Sequence, residues 1–114
     1  MQNIQSISQF DEMIAVDSPT VALFKADWCK DCVYINPFMP DVVQSYGDRI
    51  QFVVIDRDQF PELSDRYNVL GIPSFIAFKK GQQTISFISK LRKTREEIEG
   101  FLDQVVKVST SLKS

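Results

Sequence analysis

Three short apolar runs constrain the fold of this chain more than any other feature of its sequence. They cover residues 20–24, 51–55 and 74–78, and segments with helical spacing of apolar residues separate them. Runs of this length that are apolar on both faces are typical of strands buried inside a sheet. Helical crossovers between the early apolar strands predict a parallel core, and the run 74–78 with the alternating run 84–87 predicts an antiparallel hairpin at one edge. We therefore expect an α/β fold of the order β-α-β-α-β-α-β-β-α, with helices on both faces of a mixed sheet.

The first strand and the middle helices are predicted from weaker sequence patterns. An edge strand is expected at 3–7, where the sequence is short and only weakly apolar. A helix is expected over 29–46, and a kink is expected within it because Pro37 and Pro40 each remove a backbone donor. A short helix is expected over 60–67.

The first and last helices are predicted from their capping residues. Ser8 and Asp11 have the spacing of a cap that begins the first helix. Thr94 and Glu97 have the spacing of a capping box that begins the last helix. The polar stretch 109–111 is expected to fray from the end of that helix.

The composition is that of one globular domain covering residues 1–114. Hydrophobic residues make up 44% of the chain and charged residues 25%, as in ordinary soluble proteins. The net charge of −2 does not predict electrostatic binding to nucleic acid, which needs a basic face. The N-terminal residues do not have the pattern of a signal peptide, and no apolar run approaches the roughly 20 residues of a membrane-spanning helix. We expect a cytoplasmic monomer with no nucleic-acid or membrane partner.

Cys29 and Cys32 are the only cysteines in the sequence. On the first turn of a helix they share one face, and a small distortion there would bring them within disulfide range. A reducing compartment does not maintain permanent disulfides, so the spacing favours a reversible dithiol–disulfide pair. A pair of unreactive buried thiols remains an alternative. A zinc site shared by two molecules is another, because one chain without histidine cannot supply four ligands; no metal is expected in a single chain.

Several separated motifs resemble those of one known family. The residues that carry the resemblance are the segment 26–32 (Ala-Asp-Trp-Cys-Lys-Asp-Cys), Pro37, the segment 71–73 (Gly-Ile-Pro), the segment 78–81 (Phe-Lys-Lys-Gly), Phe101 and Leu102. With these residues the chain resembles the thioredoxin family over nearly all of its length. The resemblance implies a thioredoxin fold.

The resemblance also implies a role for each residue of the site. Cys29 would lie at a helix N-terminus, where the helix dipole favours the attacking thiolate, and Cys32 would resolve the mixed disulfide. The bond between Ile72 and Pro73 would be cis, which would place the Ile72 backbone where a substrate could pair with it as an added strand. Trp28 would cover the active-site turn, and we also expect it to pack partly in the core.

The two residues between the cysteines depart from the Gly-Pro pair that is commonest in the family. Lys30 should stabilise a nearby thiolate, whereas Asp27 and Asp31 should oppose it. Acid therefore exceeds base by one in this segment, which favours a reductase over a strong oxidant.

Three further positions depart from the family pattern. Leu23 stands where thioredoxins usually carry a buried acid that assists the resolving thiol, and Phe52 stands where a lysine often pairs with that acid. Both are expected to be core residues, so resolution by Cys32 would be slower or would use Asp27 or Asp31 through water. Leu91 replaces a glycine of the substrate surface and is expected to reshape the docking groove.

The function expected from these residues is reduction of protein disulfides, with no bound cofactor. A reductase or a low-molecular-weight thiol would supply the electrons. One alternative is an oxidoreductase of narrow specificity that is linked to a small thiol or acts as a redox sensor. Another is a binding module that keeps the fold but turns over weakly.

Overall fold

A computed structural model describes residues 1–89 and 91–111 of the chain. Its elements are, in chain order, β1 (Gln2–Asn3), α1 (Ile7–Ile14), β2 (Thr20–Lys25), α2 (Lys30–Ile35), α3 (Met39–Tyr46), β3 (Gln51–Asp56), α4 (Pro61–Arg66), β4 (Ser74–Lys79), β5 (Gln82–Phe87) and α5 (Arg95–Ser111). None of the described helices is long and apolar enough to cross a membrane.

The strands form one mixed sheet in the order β1-β3-β2-β4-β5. The first three strands are mutually parallel, whereas β4 runs antiparallel to β2, and β5 runs antiparallel to β4. The connection between β4 and β5 is a tight turn in which Lys80 and Gly81 have φ angles of 54° and 80°. Glycine suits this region of backbone space because it has no Cβ. The predicted α/β fold, with a parallel core and an antiparallel hairpin, is confirmed.

Strand β2 is buried on both faces of the sheet. Val21 and Leu23 pack against apolar residues of α2, α3 and α5, while Ala22 and Phe24 pack on the opposite face against residues of α1 and α4. All four side chains are 1% exposed or less. Successive side chains of a strand point to opposite faces, so a strand between two helical layers must be apolar throughout. The prediction that Leu23 is a core residue is confirmed, and Phe52 lies in the same cluster.

The predicted start of the chain is wrong in detail. The edge strand contains only Gln2–Asn3, and Ile7 already begins α1. The cap is Ser6 rather than Ser8, because the Ser6 hydroxyl accepts from the Gln9 amide at 3.0 Å and the Gln9 side chain accepts from the Gln5 amide at 2.7 Å. Asp11 takes no part in the cap and instead pairs with Arg66.

The helix predicted over 29–46 is divided into two helices rather than kinked. Helix α2 ends at Ile35 and α3 begins at Met39, with Pro37 in the break between them. Proline cannot supply the amide that would continue the hydrogen-bond ladder. Pro40 lies in the first turn of α3, where the missing donor has no partner to lose.

The last helix begins as predicted but ends later. Thr94 and Glu97 form the expected capping box, with hydrogen bonds of 3.0 and 3.2 Å between each amide and the other side chain. The prediction that 109–111 frays is wrong, since α5 continues to Ser111. Ser109 is buried, and its carbonyl oxygen accepts a hydrogen bond from the Lys79 ammonium at 2.8 Å, which ties the end of α5 to the sheet.

The burial of β2 predicts a large loss of stability on truncation. Leu23→Ala should lower the free energy of unfolding of the oxidised protein by about 2–5 kcal/mol, measured by chemical denaturation, because it leaves a cavity in a packed core. Leu70→Ala is the matched control, since Leu70 is 66% exposed. That variant should change the free energy by less than about 0.5 kcal/mol. Equal losses in the two variants would contradict the packing described for β2.

Candidate active site

Cys29 and Cys32 form a disulfide at the amino terminus of α2. Strand β2 ends at Lys25, and the next four residues carry the chain directly to the helix. Cys29 is the N-cap residue, and its sulfur accepts a hydrogen bond from the Cys32 amide at 3.1 Å. Both cysteines are buried, Cys29 at 5% and Cys32 at 2% exposure. An amide directed at the Cys29 sulfur is suited to stabilise a thiolate when the disulfide is reduced.

The segment before β4 lies against this disulfide. The peptide bond between Ile72 and Pro73 is cis, as the family resemblance implied. The Ile72 carbonyl oxygen is 3.6 Å from the Cys29 sulfur, and the Ile72 side chain packs against the small cluster that contains both cysteines. Pro73 is buried at the start of β4. The fold therefore brings Ile72 and Pro73 to the cysteines from a position more than forty residues away.

Trp28 lies on the surface, so the expectation that it packs partly in the core is wrong. Its side chain is 62% exposed, and its indole nitrogen donates a hydrogen bond to Asp58 at 2.7 Å. Trp28 is not part of the small apolar cluster that contains the two cysteines. Asp58 was not identified from the sequence. The parallel pairing of Lys25 with Asp56 brings the residues that follow β3 next to those that follow β2.

The charged residues around the cysteines have different surroundings. Asp27 and Lys30 are exposed, and neither has an ion-pair partner among the described residues. Asp31 is partly buried, and its carboxylate accepts a hydrogen bond from Arg92 at 2.9 Å. The Arg92 guanidinium also lies over the ring of Tyr34, 4.5 Å from its centroid. The local count of charges made from the sequence therefore omitted a cation that the fold brings to the site.

Leu91 and Lys93 belong to the connection between β5 and α5. Leu91 is 77% exposed, whereas Lys93 is 1% exposed. The Lys93 ammonium donates to the carbonyl oxygen and hydroxyl of Ser89 at 3.1 and 3.2 Å and to the Leu91 carbonyl at 3.4 Å. It also lies 5.1 Å from the centre of the Phe87 ring. No local pattern in the sequence distinguishes Arg92 and Lys93 from ordinary basic residues of a loop.

The part of the chain described by the structure contains no group of three or more histidine, cysteine or acidic side chains placed to hold a metal ion.

Burial lowers the pKa of Lys93 from its ordinary value of 10.5, although the negative charges of Asp31 and Glu97 act in the opposite direction. In the unfolded chain the ammonium is solvated and has its ordinary pKa. Between the two pKa values the unfolded chain binds more protons, so this group makes the free energy of unfolding rise with pH.

Replacing Lys93 tests this sign. Lys93→Met removes the titrating group, so the native protein should gain stability relative to the variant as the pH increases toward 10.5, the ordinary pKa of lysine. Denaturation curves of both oxidised proteins across this range measure the difference, and groups common to both cancel. A difference that falls or stays constant with pH would contradict a desolvated ammonium at this position.

Comparisons with known proteins point to one family. The family model described as Thioredoxin matches residues 2–104. The chloroplastic thioredoxin Y of Oryza sativa subsp. japonica is 33% identical over 102 residues, which cover 87% of this chain and 61% of that protein. The thioredoxin of Rhodospirillum rubrum is 30% identical over 95 residues, which cover 83% of this chain and 91% of that protein.

Solved structures of other proteins share the fold of this chain. The Malassezia sympodialis thioredoxin Mala s 13 superposes with a TM-score of 0.83 at 24% identity, over 92% of each chain. The present chain spans about half to three-fifths of the length of several curated relatives that it matches. The match of the family model over most of the sequence, together with the disulfide that the structure places at a helix N-terminus, shows that the chain belongs to the thioredoxin family.

Proposed function

We propose that this chain is a thiol–disulfide oxidoreductase that reduces disulfides in protein substrates. The observation that carries the proposal is the Cys29–Cys32 disulfide at the start of α2, with the Cys32 amide directed at the Cys29 sulfur. A pair that closes within one helical turn can alternate between dithiol and disulfide without a large movement of the backbone.

The first step is attack by the Cys29 thiolate on one sulfur of the substrate disulfide. A bond forms between Cys29 and that sulfur, the substrate sulfur–sulfur bond breaks, and the second substrate sulfur leaves as a thiolate that takes a proton from water. The Ile72 carbonyl oxygen, 3.6 Å from the Cys29 sulfur, lies where the backbone of an extended substrate could pair with it.

The second step is resolution by Cys32. Its thiolate attacks the Cys29 sulfur, the mixed disulfide breaks, and the other substrate thiol is released. Two electrons and two protons pass to the substrate over the two steps, and the chain is left oxidised. Leu23 provides no proton acceptor, and Asp31 is engaged with Arg92, so Asp27 is the carboxylate we assign to proton removal through water.

The oxidised chain must then be reduced again. A reductase or a low-molecular-weight thiol would donate the two electrons, and the chemistry of the two cysteines requires no bound cofactor. We propose that the chain works as a monomer in the cytoplasm, a compartment that keeps thiols reduced. The curated relatives include chloroplastic and mitochondrial proteins as well as a bacterial one, so the location needs cell fractionation.

One observation favours a narrower set of substrates than a general reductase accepts. Leu91 is 77% exposed in the connection between β5 and α5, close in sequence to the Arg92 that contacts α2. A large apolar side chain at this position would contact substrates together with Trp28 and Ile72. Partners that place a bulky group there would be excluded by steric overlap.

Trapping of a mixed disulfide tests the order of the two steps. Cys32→Ser cannot resolve the intermediate, so incubation with a disulfide-containing protein such as insulin should give a covalent adduct on a non-reducing gel. Cys29→Ser is the matched control and should give almost none. Similar adduct yields in the two variants would contradict Cys29 as the nucleophile. If the unmutated chain still bound its partners after both of its thiols had been alkylated, a binding module would be favoured.

The reduction potential separates a reductase from an oxidant. Equilibration with glutathione should give a potential near −270 mV or lower for the Cys29–Cys32 couple, as in reducing thioredoxins. A potential of about −180 to −120 mV would instead indicate an isomerase or an oxidant, and the proposed direction of electron flow would be wrong.

A further inference from the structure

The acid between the two cysteines is held by a cation from a distant part of the sequence. Asp31 lies in the first turn of α2, next to Cys32 and two residues from Cys29. Its carboxylate accepts a hydrogen bond from the Arg92 side chain at 2.9 Å. A free negative charge this close to Cys29 would disfavour the thiolate that attacks the substrate. The pairing with Arg92 therefore bears directly on the reactivity of the site.

Arg92 is fixed on α2 at two points. Besides its bond to Asp31, its guanidinium lies 4.5 Å from the centre of the Tyr34 ring, and Tyr34 follows Asp31 by nearly one helical turn. Residues spaced three apart lie on one face of a helix, so the carboxylate and the ring form a single receptor for the guanidinium. This double contact distinguishes the pair from an isolated surface ion pair, which usually contributes little.

The connection between β5 and α5, which carries Arg92, is held in place by hydrogen bonds among its own residues. The adjacent residue, Lys93, is buried, and its ammonium binds oxygen atoms of Ser89 and Leu91 in the same connection. The capping box of Thr94 and Glu97 fixes the next turn. The residues that follow Arg92 therefore hold its backbone in place before any substrate binds. Because the backbone is already ordered, the contact with Asp31 costs little further chain entropy.

We propose that Arg92 is a positioning residue for the thiol–disulfide exchange, because its guanidinium neutralises Asp31 and so increases the fraction of Cys29 present as thiolate. The inference rests on the proposed function and adds a residue to it. It cancels the excess of one acid over base that the sequence alone gives between Asp27 and Cys32. Arg92 supplies the cation missing from that count.

Other charged residues lie on the elements around the disulfide, and the variants used to test the proposal leave them unchanged. They are Lys25 at the end of β2, Asp27 after it, Lys30 in α2, Asp56, Arg57 and Asp58 at and after the end of β3, Lys93 before α5 and Glu97 within it. Because these groups are common to all variants, differences among the variants report on Asp31 and Arg92.

The test measures alkylation of Cys29 by iodoacetamide, with Cys32→Ser present in every protein so that one thiol reacts. At pH 7 and low ionic strength, Arg92→Gln should slow the reaction about threefold, the scale expected for one unit charge at close range in a solvated site. The difference should shrink at 0.5 M salt, because salt screens exposed charges. Arg92→Lys keeps the charge and should restore most of the rate.

Asp31→Asn separates electrostatics from a purely structural role. If Arg92 acts by neutralising Asp31, removal of the acid should accelerate alkylation, and the double variant Asp31→Asn with Arg92→Gln should return close to the starting rate. If the pair only fastens the connection to α2, both single variants break the same contact and should change the rate in the same direction. That second result would overturn the proposal.

Arg49→Gln is the matched control for loss of an arginine. Arg49 also pairs with a carboxylate, that of Asp48 at 3.2 Å, and it also lies over a tyrosine ring, that of Tyr46 at 4.8 Å. It precedes β3 and is therefore at the opposite end of the parallel strands from Cys29. An unchanged rate is expected, and a decrease equal to that of Arg92→Gln would overturn the proposal.

The readout is independent of substrate reduction. Alkylation needs only the Cys29 thiolate, so its dependence on Arg92 can be measured even if the chain fails to reduce insulin. Loss of insulin reduction with the alkylation pattern intact would reject the proposed function alone. An alkylation rate that is insensitive to Arg92 in a protein that reduces insulin would reject the role of Arg92 alone.

Discussion

The burial of β2 on both faces is the constraint on which the rest of the structure depends. This strand pairs with β3 on one side and with β4 on the other, and its side chains enter both apolar clusters. Its carboxyl end is therefore fixed in three dimensions, and Cys29 follows it after three residues. The hydrophobic effect, which acts through the two layers of helices, thus determines where the disulfide lies.

The site is assembled from segments that are remote in sequence but share one edge of the sheet. The turn after β2 contributes Trp28 and Cys29, the turn after β3 contributes Asp58, and the segment before β4 contributes Ile72. Parallel strands bring their carboxyl ends to the same edge, and an antiparallel neighbour brings its amino end there. The connection between β5 and α5 adds Arg92, which reaches the site through α2 rather than through the sheet.

The sequence was sufficient to predict several features that rest on local patterns, although the cap of the first helix is Ser6 rather than the predicted Ser8. The buried strands, the box of Thr94 and Glu97, and the spacing of the cysteines each depend on residues close together in the chain. The features that it could not predict depend on tertiary contacts. Lys79 binds the carbonyl oxygen of Ser109 near the end of the last helix, Asp58 accepts a hydrogen bond from the exposed Trp28, and Arg92 pairs with Asp31 beside the cysteines. Periodicity carries no information about such partners.

Helix α2 has only six residues. A helix this short has few internal hydrogen bonds and is not stable alone in water, so its position comes from the strand before it and from the burial of Cys32 and Ile35. The exposed residue Lys30 contributes little to that burial. Substitutions there can change the chemistry of the adjacent thiol while the fold remains intact. The buried face of this turn holds the helix in place, so a change of thiol reactivity through its exposed face need not lower stability.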